Sequence, residues 1–316
     1  MSYAGPDPRR WKALALICTA AFMTVLDIAI VNVALPSIGK DLSFSRDSLQ
    51  WVITTYALTF GGFLLLGGRA ADLLGRRRVF MTGVALFTLA SLACGLATSE
   101  ALLIVARGVQ GLGAAIVSPA ALSIIQTTFE EGPERNKALG IWGAVAGSGA
   151  AVGVLLGGIL TEYLGWEWIF FVNVPVGAAV LLATPLFVRE SRMETANRRY
   201  DSLGAVTITT ALVLLVYAIS KAPGVGWATA QTIGLLAASA VLHVAFVVVE
   251  SRTEQPLVPL SIFRVRTVFG ANVVGFLLGG SIFGSFFLLR EFRSLQNRLT
   301  YQEQVMQPAS DAISQL

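Results

Sequence analysis

Charged residues are scarce in this sequence: Asp, Glu, Lys and Arg make up 13% of its 316 residues. A soluble chain is typically roughly 25% charged, whereas 55% of these residues are hydrophobic and the mean hydropathy is +0.70. The shortage of charge excludes an ordinary soluble globular protein. The formal net charge is only +4, so we expect no nucleic-acid partner.

Residues that bind metals or act as nucleophiles are also few. The chain has one histidine, His243, and two cysteines, Cys18 and Cys94. It contains no metal-ligand cluster, no Gly-x-Ser-x-Gly sequence and no phosphate-binding loop. We therefore predict that the protein is not an enzyme and requires neither a metal nor a cofactor.

Nine hydrophobic runs are long enough to cross a membrane. A bilayer core about 30 Å thick requires about 20 apolar residues in a helix, and the segments between the runs are too short for a soluble domain. We predict an all-α integral membrane protein, because helices satisfy their own backbone hydrogen bonds in lipid. The predicted spans are 13–34, 51–68, 79–97, 102–129, 138–160, 168–188, 203–220, 230–249 and 268–289.

The positive charges predict how the chain is oriented. If the loops alternate between the two sides of the membrane, Lys40, Arg46 and Lys221 lie on one side and most other Lys and Arg residues lie on the opposite side. The positive-inside rule makes the richer side cytoplasmic, so we expect a cytoplasmic N-terminus. The residues on that side are Arg9, Arg10, Lys12, Arg69, Arg76, Arg77, Arg78, Arg135, Lys137, Arg189, Arg192, Arg198, Arg199, Arg252, Arg264 and Arg266.

Two charged residues fall inside predicted spans, Asp27 in the first and Arg107 in the fourth. A carboxylate at the centre of a spanning helix costs about 3 kcal/mol even on insertion scales. From the rise of a helix, Asp27 lies roughly 10 Å and Arg107 roughly 8 Å below the outer edge of the membrane. We predict that the two side chains share a cavity and interact directly or through water. A carboxylate that only ties two helices together is the alternative.

The sequence at residues 26–36, Leu-Asp-Ile-Ala-Ile-Val-Asn-Val-Ala-Leu-Pro, resembles the first-helix signature of drug:proton antiporters with fourteen transmembrane helices, the QacA and EmrB type of the major facilitator superfamily. In that family the acidic residue belongs to the proton or cation site. Residues 107–115, which begin Arg-Gly-Val-Gln-Gly, resemble the fourth-helix motif, whose arginine is linked to proton transfer. The resemblance implies proton coupling through Asp27 and Arg107.

The segment 68–78, between the second and third predicted spans, resembles the cytoplasmic loop motif of the same superfamily. Glycines permit a tight turn, an aspartate can interact with a helix N-terminus, and arginines anchor the cytoplasmic side. We assign a conformational role to this loop motif. Its residues are Gly68, Asp72, Gly75, Arg76 and Arg77.

The fifth span carries small residues at helical spacing and resembles the antiporter motif of exporters. Small residues let another helix approach closely. The glycines are Gly143, Gly147, Gly149, Gly153, Gly157 and Gly158, of which Gly149, Gly153, Gly157 and Gly158 are the predicted motif positions. Residues 166–177 resemble the start of the sixth helix in the fourteen-helix family, and spans seven and eight resemble the pair of helices inserted between its two halves. His243 lies in span eight, outside the transport path, and we predict a structural role for it.

The resemblance predicts a major facilitator fold that comprises an amino-terminal six-helix half, two inserted helices and the first helix of the second half. We expect the resemblance to end near residue 289 and the chain to be incomplete, so that a second polypeptide is a possible partner and Asp27 and Arg107 face lipid. The predicted segments are an N-terminus at 1–12, a transport domain at 13–188, a basic loop at 189–202, inserted helices at 203–249, a loop at 250–267, a ninth helix at 268–289 and a polar tail at 290–316.

The predicted function is proton-coupled export of amphipathic small molecules from the cell, through the plasma or inner membrane, with lipid, substrate and protons as partners. Asn32, Tyr56 and Gln110 are candidates for lining the substrate cavity, although core packing is the favoured explanation for Tyr56. Two alternatives remain open at this point. The same scaffold could transport a metabolite or a lipid, or the chain could be a membrane scaffold that does not transport.

Overall fold

The computed structural model describes residues 8–192, 201–253, 256–281 and 296. All regular elements in this part of the chain are helical, and eight helices there are long and apolar enough to cross a bilayer. The predicted all-α membrane fold is thus confirmed. The end of the ninth predicted span, at 282–289, residues 193–200 of the predicted basic loop, and the predicted tail apart from residue 296 lie outside the described residues.

The chain divides into two compact units, Met1–Leu257 and Val258–Leu316. The first unit contains α1 (Arg10–Asp41), α2 (Arg46–Leu49), α3 (Trp51–Leu74), α4 (Arg76–Gly95), α5 (Glu100–Thr128), α6 (Pro133–Tyr163), α7 (Trp168–Phe171), α8 (Asn173–Phe187), α9 (Ser202–Val225) and α10 (Ala230–Arg252). The second unit contains a 3₁₀ helix at Leu260–Arg264 and a helix at 266–281.

The helices extend beyond the hydrophobic runs that predict them. The first helix continues through Pro36 to Asp41, and α3 continues to Leu74. The predicted sixth span, Trp168–Phe187, is one of the eight helices that could cross a bilayer, but a turn at Val172 divides it into α7 and α8. Pro175 has no N–H to donate to the carbonyl of Phe171, four residues earlier, which explains why the helix is interrupted there.

The fifth helix lies between α3 and α4 at the centre of the first unit. A Cβ atom added at Gly111 would overlap the backbone of Tyr56 in α3, and one added at Gly113 would lie 2.6 Å from the backbone nitrogen of Phe87 in α4. The two glycines therefore let α5 approach both neighbours closely. Around this core, α1 packs against α6 and α8, and α9 packs against α3 and α10.

The starts of α1, α4 and α6 and the end of α8 lie together at one end of the unit. Arg10 pairs with Glu134 at 2.7 Å, Arg9 donates to the carbonyl of Leu186 at 3.2 Å, and Arg77 lies beside Glu190. We call this the basic end, defined by residues 9–12, 75–78, 133–137 and 186–192. The positive residues of these loops thus lie at one end, as the alternation of loops predicts.

Candidate functional site

Asp27 and Arg107 form an ion pair in the interior of the first unit. Arg107 Nη1 donates to Asp27 Oδ2 at 2.5 Å, and the two side chains are 1% and 0% exposed. The depth estimate from the sequence placed both residues at one level of the membrane, and the structure brings them into direct contact. Burial of both charges is costly unless they are paired and hydrogen-bonded, so the partners around the pair matter.

Arg107 has two further hydrogen bonds. Its Nε donates to the carbonyl of Val52 in α3 at 3.0 Å, and its Nη1 donates to Gln110 Oε1 at 2.6 Å. Val52 precedes Tyr56 by one helical turn, and Gln110 follows Arg107 by nearly one turn of α5. The guanidinium group is consequently fixed between α1, α3 and its own helix.

Three polar side chains complete the surroundings of the carboxylate. Gln110 Nε2 donates to Asp27 Oδ1 at 2.7 Å, and Asn173 Nδ2 donates to the same oxygen at 3.2 Å. Both amides also donate to Ser91 Oγ at 3.0 Å, and Ser91 donates to the carbonyl of Phe170 at 3.2 Å. We call Asp27, Ser91, Arg107, Gln110 and Asn173 the polar cluster; it joins α1, α4, α5 and α8.

Hydrogen-bond donors surround the carboxylate of Asp27. Arg107, Gln110 and Asn173 donate to its two oxygens. A proton added to Asp27 would remove the charge that these donors share and leave Arg107 without its counter-charge. Binding of a proton at this carboxylate would therefore alter contacts among four helices.

The expectation that Asp27 and Arg107 face lipid is wrong, because both side chains are buried within the first unit. The partners of the two side chains in the described residues belong to α3, α5, α7 and α8. Next to Asp27 along α1, Leu26 and Ala29 lie against Gly153 of α6.

The three candidates for the substrate cavity lie in different surroundings. Gln110 is completely buried in the polar cluster, and Tyr56 is 2% exposed and packs against Arg107 and Phe60. Neither lies on the surface of the unit. Asn32 is exposed on α1, where its amide donates to the carbonyl of Ile28 in the same helix at 2.7 Å.

The loop motif lies at the basic end, and Gly75 forms its turn. Gly75 has a φ of 109° and links α3 to α4, a conformation that favours glycine. Gly68, in contrast, lies inside α3, and a Cβ there would be in ordinary contact with Pro119 at 3.5 Å. The neighbouring Gly67 is the residue that meets the backbone of α5, at Ala115.

The carboxylate at the N-terminus of α4 is Glu190, which the sequence analysis did not single out. The N–H groups of Arg77 and Arg78 donate to Glu190 at 3.1 and 3.2 Å. Asp72, expected to interact with a helix N-terminus, instead accepts from Arg76 Nη2 at 3.0 Å and from Ser123 Oγ at 3.3 Å. Asp72 of α3 therefore binds both Arg76 of α4 and Ser123 of α5, while Glu190 fixes the segment after α8 to the start of α4.

Only some of the glycines in α6 contact another helix. Cβ atoms at Gly149, Gly153 and Gly157 would lie 2.7–3.2 Å from atoms of α1, so these three form the close crossing that the spacing predicts. Gly158 has no neighbouring atom within 4 Å, and the same is true of Gly143 and Gly147. Gly158 is thus not a packing position in the described residues.

The remaining residues singled out above have local roles. Nδ1 of His243 lies 2.8 Å from the carbonyl of Ser239, one turn earlier in α10. Cys18 and Cys94 are buried free thiols, and Cys94 Sγ lies 3.6 Å from Gln110 Oε1 at the margin of the polar cluster.

Sequence reasoning missed Ser91 and Asn173 as members of the polar cluster. Asn173 lies within the sixth-helix motif, but the sequence does not show that its side chain contacts Asp27. Ser91 follows no recognised motif, and small polar residues are common in spanning helices. Their roles depend on which helices pack together.

Comparison with known proteins places the chain in a family. The sequence profile of the Major Facilitator Superfamily matches residues 17–302. A puromycin resistance protein of Streptomyces alboniger is 46% identical over 94% of this chain and 58% of its own length. A cephamycin export protein of Amycolatopsis lactamdurans is 45% identical over 92% of this chain and 60% of its own. The multidrug resistance protein Stp of Mycobacterium tuberculosis is 42% identical over 94% of this chain and 55% of its own.

Solved structures have the same fold at low sequence identity. The POT family transporter PepTSo superposes with a TM-score of 0.55 at 15% identity, covering 75% of this chain and 52% of that protein. A bacterial homologue of the human lysosomal transporter Spinster gives a TM-score of 0.50 at 20% identity, covering 76% and 61%. The chain spans about 55–60% of the length of the curated relatives named above. From its fold and its sequence, the chain belongs to the major facilitator superfamily.

Proposed function

We propose that a transporter built on this chain exports drug-like small molecules in exchange for protons, with Asp27 as the proton acceptor and Arg107 as its electrostatic partner. The buried ion pair carries this proposal. Ionisable residues inside membrane segments are expensive and commonly mark ion or proton paths. A proton on Asp27 would release Arg107 from its ion pair and so change how α1 and α5 hold each other.

The names of the relatives support the substrate class. They are described as resistance or export proteins for puromycin and cephamycin, and as a multidrug resistance protein. These compounds are small organic molecules, which favours amphipathic drug-like substrates for this chain. Asn32 is the candidate cavity residue that remains accessible, and we propose that it contacts substrate from α1.

The other motifs have supporting roles in this proposal. Close packing through Gly149, Gly153 and Gly157 makes α1 and α6 move as one pair, because backbone contacts leave little room for sliding. The N–H groups of Arg77 and Arg78, which donate to Glu190, and the side chain of Arg76, which donates to Asp72, hold the basic end together in the present conformation. Opening that end during transport would require these bonds to break.

We further assign the chain to the drug:proton antiporters with fourteen spanning helices, in which α9 and α10 are the inserted pair. The distribution of Lys and Arg supports a cytoplasmic basic end and a cytoplasmic N-terminus in the plasma or inner membrane. Single cysteines placed at the exposed positions 136 and 227 would test this orientation. A membrane-impermeant thiol reagent added to intact cells should label only the second position.

Efflux of a fluorescent cationic dye from energised cells tests the function. The chain is expressed alone and together with the part of the puromycin resistance relative that this chain does not cover. Export that disappears when the proton gradient is collapsed, and that is lost in Asp27→Asn, is the expected result. Glu131→Gln is the matched control, because Glu131 is a carboxylate with 89% side-chain exposure at the basic end. Full export by Asp27→Asn at normal membrane levels would reject the proposed role of Asp27.

The same experiment separates the alternatives. Absence of transport in both expression formats, with the chain correctly inserted, would favour a membrane scaffold. Movement of a labelled metabolite or lipid without any export of drugs would favour a transporter of metabolites or lipids.

A further inference from the structure

The guanidinium group of Arg107 lies against two aromatic rings. Its Cζ atom is 4.3 Å from the ring centroid of Tyr56 in α3 and 5.8 Å from that of Phe170 in α7. Both rings are buried, with exposures of 2% and 0%. A cation within about 6 Å of a ring centroid is attracted by the negative face of the ring, and more strongly where water is excluded.

The hydroxyl group of Tyr56 does not explain why a tyrosine stands here. It is a buried atom with no hydrogen-bond partner in the described part of the chain, although a buried hydroxyl normally requires one. The ring, in contrast, makes close contact with Arg107. The contribution of Tyr56 to the site therefore comes from its aromatic face.

The aromatic face becomes more important when Asp27 is neutral. The other acceptors of Arg107 are the carbonyl of Val52 and Oε1 of Gln110, which are uncharged dipoles. The titratable side chains that surround Asp27 in the described residues are Arg107, Tyr56 and Cys94, so no second carboxylate replaces Asp27. A buried guanidinium that loses its counter-charge needs another source of negative potential.

We propose that Tyr56 is a positioning residue for the transport cycle: its ring holds the charged Arg107 in place while Asp27 carries a proton. Phe170 contributes the second, more distant face. This inference rests on the proposed function, in which Asp27 is protonated and deprotonated. It assigns Tyr56 to the coupling machinery instead of to the substrate cavity.

Fluorinated phenylalanines at position 56 test the inference, because fluorine weakens the negative face of the ring while preserving its shape. The melting temperature of the purified full chain in detergent is measured for Tyr56→Phe and for its mono-, di- and trifluorinated forms. Each is made in the wild-type background and with Asp27→Asn, which imitates a neutral Asp27. Tyr56→Phe should melt like the wild type, because only the unpartnered hydroxyl is lost.

The expected result is a melting temperature that falls with each added fluorine, reaching a loss of about 4 °C for the trifluorinated form in the Asp27→Asn background, and less than half of that in the wild type. The same series at Phe60 is the control, because Phe60 stacks on Tyr56 at 6.2 Å and has no described contact with Arg107. If Asp27→Asn cannot be purified, the series is measured in the wild type alone, where the melting temperature is expected to fall with each fluorine added at position 56 and not with fluorine added at position 60.

The inference would be overturned if the loss of melting temperature per fluorine at position 56 were zero, or were equal in the wild-type and Asp27→Asn backgrounds. An equal loss per fluorine at position 60 would also overturn it. The measurement does not require transport. A steep slope in Asp27→Asn combined with absence of efflux would therefore reject the proposed export function while leaving the contact between Tyr56 and Arg107 established.

Discussion

Arg107 and Asp27 meet through a single guanidinium nitrogen, Nη1, which donates both to Asp27 and to Gln110. This nitrogen therefore contacts both the carboxylate of Asp27 and the side-chain amide of Gln110, and that amide also donates to the carboxylate. Because Gln110 Nε2 binds Asp27 Oδ1, the three side chains form a closed ring of hydrogen bonds. Loss of any one member removes a hydrogen bond from each of the other two.

Removal of one member of the ion pair is expected to destabilise the protein more than removal of both. Arg107→Met leaves a buried carboxylate and should cost about 3–5 kcal/mol, whereas Asp27→Leu with Arg107→Met removes both charges and should recover part of that loss. Thermal melting of the purified chain measures the difference. Glu131→Gln is the control, because the carboxylate of Glu131 is 89% exposed in its pair with Arg135 and surface pairs contribute roughly 0–1 kcal/mol. Equal losses for Arg107→Met and the double variant would contradict the prediction.

Glu190→Gln is expected to loosen the start of α4. The carboxylate accepts from the N–H groups of Arg77 and Arg78, and a negative charge at a helix N-terminus contributes about 0.3–1 kcal/mol. Hydrogen exchange at residues 76–79 should accelerate severalfold, while exchange in the middle of α4 remains unchanged.

Glu134→Gln provides the comparison for that variant, because Glu134 also pairs with an arginine at the basic end. Exchange at residues 76–79 should not change in this variant. Equal acceleration in both variants would mean that Glu190 acts only through the general charge of the basic end.

Valine at Gly153 is expected to separate α1 from α6, whereas valine at Gly158 should be tolerated. A Cβ at Gly153 would lie 2.7 Å from Ala29 Cβ and 2.9 Å from the carbonyl oxygen of Leu26, while Gly158 has open space around it. Overpacking of this kind typically costs about 1–3 kcal/mol. Melting temperatures of the two variants provide the measurement. A greater loss for Gly158→Val would show that its free face is covered by another segment or chain.

Gly75→Ala is expected to destabilise the turn between α3 and α4 by about 1–2 kcal/mol. The φ of 109° disfavours any residue with a Cβ, and that Cβ would lie 2.7 Å from Glu190 Oε1. Gly140→Ala is the matched control, since Gly140 lies in α6 with nothing within 4 Å and alanine favours a helix. A loss of stability in Gly75→Ala, with a gain or no change in Gly140→Ala, would agree with the turn geometry. A greater loss of stability in Gly140→Ala than in Gly75→Ala would contradict it.

The helices and the central ion pair could be predicted from the sequence because both depend on local properties. Hydrophobic length determines which segments span, and the rise of a helix converts sequence position into depth, which placed Asp27 and Arg107 at one level. The ends of the helices could not be predicted as well, because a helix can continue past the end of its hydrophobic run. The first helix, for example, continues through Pro36 to Asp41.

The sequence by itself determined an all-helical membrane protein of the major facilitator superfamily, with a costly acid and a costly base at matching depth. Tertiary structure alone decided that α4 and α8 bring Ser91 and Asn173 to the carboxylate, that Glu190 occupies the N-terminus of α4, and that three of the α6 glycines meet α1 while Gly158 does not. The physical reason is that depth follows from counting residues along one helix, whereas the direction of a side chain and its neighbours depend on the rotation and crossing of several helices at once.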